Sequence, residues 1–114
     1  MDDNTAQGGP KAVIFDRADP KWKELLEIDA RLHKDRNIRI LTPEARVLFA
    51  LLIGGPLQIN SAMQVAGTSY RGFYAVLERL KQAGLVNINK DTEDQRVRKL
   101  TVDENEVPSA PAEL

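Results

Sequence analysis

The sequence predicts an α+β fold in which about four α-helices are followed by a two-stranded β-hairpin. Three observations carry that prediction. Apolar residues recur at helical spacing in four successive segments, and glycine or glycine–proline stops divide those segments. After Gly84 the helical period gives way to strict alternation, the pattern of a half-buried strand.

The first helix is expected over residues 20–34. Asp19 is placed as its N-cap with Pro20 at the first helical position, and Trp22, Leu25, Leu26 and Leu32 follow helical spacing with Asp29 as the one polar interruption. Residues 38–41 read as a brief extended linker. Thr42-Pro43-Glu44 opens a second helix by the same capping logic, Val47, Leu48, Leu51 and Leu52 form its buried stripe, and Gly54-Gly55-Pro56 stops it. A short third helix over about 60–66 carries Ala62, Met63 and Val65 and ends at Gly67. Ser69 is placed to cap the fourth, in which Phe73, Val76, Leu77 and Leu80 face inward. Gly84 then takes a left-handed position with Leu85 able to touch Leu80, a Schellman stop. Val86 and Ile88 alternate with Asn87 and Asn89, a polar turn covers 90–95, and residues 97–102 return as the second strand. A lone hairpin is marginal in water, so its apolar face is expected to pack on the helices.

The 114 residues suit one folded domain, expected over 19–103. Residues 1–18 read as a flexible arm with an apolar patch at Val13-Ile14-Phe15, and 104–114 as a disordered acidic tail containing Pro108 and Pro111. The chain has no cysteine, which excludes disulfides and thiolate metal sites, and a single histidine, His33, expected at a helix C-terminus as a surface or capping group. No apolar run reaches membrane-spanning length and the start lacks the pattern of a signal peptide, so a cytoplasmic location without membrane association is expected. Carboxylates are scattered, with no nucleophile–base pairing, phosphate-cradling loop or metal-ligand spacing. No enzyme activity, cofactor or metal is expected.

The formal net charge is −1, but its distribution is uneven: residues 68–102 hold seven basic and four acidic groups, and the tail from Asp103 is wholly acidic in its charges. Screening limits electrostatic reach to about 8–10 Å at physiological salt, so a partner responds to the local face and not to the total. Two helices joined through a turn containing glycine, followed by a hairpin, form a winged helix-turn-helix. The major groove of DNA accepts an α-helix, and the second helix of such a pair places its N-terminal residues on base edges. The recognition helix is therefore assigned to about 69–83 and the wing to about 87–99. The candidate DNA-binding residues are Ser69, Tyr70, Arg71 and Tyr74 on the helix, and Lys90, Arg96 and Arg98 on the wing. Arg71 can fork onto guanine, the tyrosines can reach phosphate or a thymine methyl, and the turn capped by Ser69 can present backbone N–H groups to a phosphate. Gly72 inside the helix costs about 1 kcal/mol against alanine, and either close approach to the groove or simple tolerance accounts for it.

The run Asp91-Thr92-Glu93-Asp94-Gln95-Arg96, in register behind Leu80-Lys81-Gln82-Ala83-Gly84-Leu85-Val86, resembles the wing of the MarR family of transcriptional regulators. Leu41-Thr42, Gly54-Gly55-Pro56 and Val65-Ala66-Gly67-Thr68-Ser69 match in the same order. The resemblance implies that Arg96 borders or enters the minor groove and that Asp94 holds it, in keeping with the attraction of a narrow minor groove for arginine. Family members carry a further pair of helices after the wing that build the dimer and help enclose a ligand pocket. Here an acidic tail follows, so a small-molecule effector is not expected. Any homodimer is expected to use the N-terminal arm and the first helix, with Trp22, Leu25 and Leu26. The resulting expectation is a regulator that binds double-stranded DNA. The alternative is a winged helix used as a protein-interaction module, or as an accessory subunit that heterodimerises with another regulator.

Overall fold

The computed structural model describes residues 16–90, 93–94 and 96–103. The apolar patch at 13–15, most of the arm and the tail at 104–114 lie outside the described residues. Helix α1 spans Lys21–Arg36, α2 Pro43–Gly54, α3 Ile59–Ala66 and α4 Tyr70–Gln82. Strand β1 is Leu57–Gln58, β2 Val86–Lys90 and β3 Arg98–Val102. The α+β arrangement of four helices and a hairpin is present, and the sheet gains a third strand. β1 pairs antiparallel with β3, so the order is β1-β3-β2. A two-residue strand has no period of its own to reveal it.

Helix α1 begins one residue later than its sequence pattern indicates. Pro20 occupies the N-cap, and the Asp19 carboxylate accepts from the Lys21 N–H at 2.9 Å instead of capping deeper into the turn. The helix runs on to Arg36 and ends at Asn37, which takes the left-handed conformation (φ 58°). Residues 16–18 join the fold through Arg17, whose guanidinium donates to the carbonyls of Leu51 and Leu52 at 3.3 Å. Trp22 lies 5.0 Å, ring to ring, from Phe49 and donates through Nε1 to the Asp16 carbonyl, so it serves this chain's own packing. Thr42 caps α2 as its sequence requires, accepting from Ala45 N–H at 3.1 Å with Pro43 behind it.

The core is a single cluster centred on α2. Val47, Leu48, Leu51 and Leu52 meet Phe73, Val76, Leu77 and Leu80 of α4 and Val86, Leu100 and Val102 of the sheet. Ala62 and Ala66 are the buried residues of α3, and their small side chains let that helix approach closely; Met63 and Val65 are only partly buried against the core. Helix α4 closes as a Schellman motif. Leu85 N–H donates to Leu80 O at 3.1 Å, Gly84 N–H donates to Lys81 O at 3.0 Å, and Gly84 sits at φ 75°. That stop turns the chain directly into β2, whose Val86 enters the core as its first residue. The hairpin thus packs on the helices, as a lone hairpin must to persist.

Candidate nucleic-acid interface

The turn between α3 and α4 decides where α4 points. Gly67 ends α3 at φ 68°, a conformation that a side chain at this position would strain, and its N–H donates to Met63 O and Gln64 O. Two residues later Ser69 starts α4 by accepting from Gly72 N–H at 3.1 Å. The structure also explains Gly72. A Cβ there would stand 3.2 Å from Ser69 Oγ and 3.4 Å from Thr68 Cβ, so glycine makes room for the cap.

On the exposed side of α4, Tyr70 and Tyr74 are 63% and 47% accessible. One helical turn apart, they pack edge to face with ring centres 5.0 Å apart, and their hydroxyls are hydrogen-bonded at 3.1 Å. Its hydrogen bond with Tyr74 holds the Tyr70 phenol above its ordinary value, the direction expected where Tyr70 donates and the Tyr74 hydroxyl oxygen accepts. Arg71 is exposed on the same end of the helix. Farther along, Arg79 is engaged in an ion pair with Glu44 at the start of α2, which ties α4 to α2 away from the Tyr70 end. Glu78 accepts from Gln82 at 3.3 Å, ordinary helix-surface chemistry.

The wing brings a second set of cations alongside. Strand alternation places Val86, Ile88 and Lys90 on one face of β2 and Arg98, Leu100 and Val102 on the same face of β3. Lys90 and Arg98 are directly opposite each other, continuing the core face beyond the core. Like charges facing each other across strands are unfavourable in the free protein, and an anion between them would relieve the repulsion. On the other face Asn89 donates to Thr101 Oγ1 at 2.9 Å. Asp94 and Arg96 form a local unit in the turn. The carboxylate accepts from Arg96 Nε at 3.2 Å and from Arg96 N–H at 3.1 Å. These two bonds hold Asp94 below its usual carboxylate range. The Arg96 side chain is nonetheless 91% accessible, so it is oriented without being hidden. Arg71 and Arg98 have no ion-pair partner among the described residues.

Helix and wing enclose an open cleft of about 420 Å³. Tyr70 and Tyr74 form one wall, and Arg96, Val97 and Arg98 the other. Gln58, Ile59 and Asn60, at the junction of β1 and α3, complete it. Lys90 lies outside this cleft, in a neighbouring one of about 320 Å³ shared with Lys81 and Arg98. Ser69 and Arg71 border neither. Gln58 and Asn60 were not indicated by the sequence. They reach the cleft only because β1 pairs with β3 and so swings the start of α3 toward the wing. Among the described residues no three His, Cys, Asp or Glu side chains are grouped to hold a metal ion, and no helix is long and apolar enough to cross a membrane.

The arrangement is a winged helix-turn-helix, and solved structures with a similar fold include transcriptional regulators. Transcriptional regulator PA4135 superposes over 75% of this chain and 60% of its own, with a TM-score of 0.52 and 20% sequence identity. Tm0710 from Thermotoga maritima gives 0.52 at 16% identity over 75% of this chain and 59% of its own. BpsR of Bordetella bronchiseptica, whose DNA binding is regulated by 6-hydroxynicotinic acid, gives 0.51 at 19% identity over 75% and 59%. The chain therefore spans about 60% of the length of the solved structures it matches. No protein-family model matches it, and no curated protein matches it significantly.

Proposed function

We propose that this chain is a sequence-specific DNA-binding transcriptional regulator, with α4 in the major groove and the β2–β3 wing at the adjacent minor groove or backbone. The observation that carries this reading is the convergence of Tyr70, Tyr74, Arg96 and Arg98 on one open cleft between helix and wing. A phosphodiester strand passing from one groove to the next would meet hydroxyl donors on one side and guanidinium groups on the other. Arg71, exposed at the reading end of α4, is the base-reading candidate, since an arginine fork fits guanine O6 and N7. Arg96, oriented by Asp94, is the minor-groove candidate. The fold's occurrence in PA4135 and Tm0710, both transcriptional regulators, and in the DNA-binding BpsR supports the assignment.

The protein is proposed to act as a homodimer on a pseudo-palindrome with half-site centres about one helical turn, ~34–36 Å, apart. Selection of bound sequences from random duplex DNA at two salt concentrations tests the reading. The expected result is an enriched inverted repeat whose retention falls steeply at the higher salt. Recovery of no sequence preference at either concentration would overturn it. A stable protein complex surviving high salt would instead support the interaction-module reading.

A further inference from the structure

Asp29 lies on the inner side of α1, 1% exposed, in a place where helical spacing calls for an apolar residue. Its surroundings are donors. Oδ1 accepts from the backbone N–H groups of Ile40 and Leu41 at 2.7 and 2.9 Å, and Oδ2 faces Arg39 at 2.6 Å and Arg46 at 4.0 Å. Burial pushes the carboxyl up, but the Leu41 N–H, Arg39 and the Ile40 N–H outweigh that and hold it below its ordinary value.

Arg46 carries the connection onward. It is buried in α2, and its guanidinium donates to the carbonyls of Leu41, Val65 and Ala66. The last two belong to the final turn of α3, whose carbonyls have no partner within the helix, and a cation there also meets the negative end of the helix dipole. Nη2 lies 3.5 Å from the point where a Cβ on Gly67 would stand. The Thr68 hydroxyl is buried without a hydrogen-bond partner among the described residues, so that side chain does not anchor the turn between α3 and α4.

We infer that Asp29 and Arg46 form a clamp that sets the direction of α4, making Asp29 a positioning residue for sequence reading although it borders no DNA-facing side chain. The inference rests on the DNA-binding reading for its consequence, but its geometry stands independently. Without the Asp29 charge, the Arg46 guanidinium is left buried beside the cationic Arg39. It then either draws in water or shifts, and the end of α3 shifts with it. Binding constellations tolerate displacements of only about 0.5 Å, so reading suffers before non-specific attraction does.

Asp29→Asn keeps the acceptor for Ile40 and Leu41 and removes the charge, and is compared with wild type under conditions where Trp22 fluorescence shows both to be folded. Two readouts are taken: amide hydrogen exchange at Gly67 and Gly72, and affinity for the selected duplex against a scrambled one. The clamp predicts exchange faster by about tenfold at both amides, and affinity for the selected duplex lower by about tenfold with scrambled-duplex affinity nearly unchanged. Unchanged exchange at both amides would overturn it, as would an equal loss on both duplexes. Should wild type not distinguish the duplexes, the DNA reading fails while the exchange measurement still decides the clamp. If Asp29→Asn does not fold, Arg46→Lys, which keeps a cation beside Asp29 but gives up the forked contacts to Val65 and Ala66, is read by the same exchange criterion.

Discussion

At Ser69 and Gly72 two adjacent choices are coupled through one hydroxyl. The cap formed by Ser69 supports the first turn of α4, and its loss in Ser69→Ala should cost about 1 kcal/mol in denaturant unfolding. Gly72→Ala should ordinarily return a similar ~1 kcal/mol from helix propensity. Here the added Cβ presses on Ser69 Oγ at 3.2 Å, so the expected gain in the wild-type background is near zero. In the Ser69→Ala background the crowding is gone and the gain should appear. Equal gains in both backgrounds would show that glycine is not there for the cap. Asp29 supplies the second prediction at this scale. Its folded-state pKa lies below the ordinary 3.8, so its charge contributes stability that is present above that value and is lost as pH falls through the folded-state value. Asp29→Asn should therefore melt lower than wild type at pH 7, and the difference should close on acidification below the ordinary value. A difference that stays constant through the acid range would contradict the assignment. Helical spacing put Asp29 on the inner face, but nothing local says what satisfies it. Its partners Arg39, Ile40 and Leu41 are 10 to 12 residues away and come into range only when the linker folds back along α1.

The elements were legible wherever a period or a stop was long enough to act locally. Thr42-Pro43, Gly67, Ser69 and Gly84 each work through bonds to residues within a few positions, and the structure has these caps and stops where the sequence places them. Strand β1 was not legible, because two residues have no alternation and its partner Leu100 lies across the fold. With it went Gln58 and Asn60, the third side of the cleft. Trp22 shows the complementary ambiguity: an aromatic on an amphipathic helix suits an interface or a core equally, and its contact with Phe49 appears only once α1 and α2 are packed together. In the wing, Lys90 facing Arg98 opposes local stability to the proposed function. Arg98→Thr should leave thermal stability unchanged or raise it by a few tenths of a kcal/mol, by removing a like-charge pair and adding a β-former. The same change should weaken duplex binding several-fold, on the order of one lost phosphate contact. A destabilised variant with undiminished affinity would mean that Arg98 is structural.

Over the whole molecule, the formal charge of −1 conceals a separation that governs association. The N-terminal end of α4 and the wing present Arg71, Arg96 and Arg98, and although the wing also carries Asp91, Glu93 and Asp94, residues 68–102 together hold seven basic and four acidic groups. Fields fall off within about 8–10 Å at physiological salt, so a duplex at the cleft would respond to the local excess of cations and not to the total charge. Binding should consequently weaken steeply with salt despite the overall negative charge, log K falling linearly with log salt concentration at a slope of about −0.9 per phosphate neutralised. The two arginines separate in this measurement. Arg96, fully exposed and held by Asp94 at the wing, should act as a charge near the backbone or minor groove. Arg96→Ala should lower affinity for all duplexes alike and reduce the slope by about one. Arg71, at the reading end of α4, should act through base edges. Arg71→Ala should cost about 1–3 kcal/mol on the selected duplex and far less on a scrambled one, relaxing preference at one position of each half-site. Titrations of both variants against both duplexes at several salt concentrations resolve the two roles. If Arg71→Ala lowered affinity for both duplexes equally, the cleft would be a backbone clamp and sequence would have to be read elsewhere on α4.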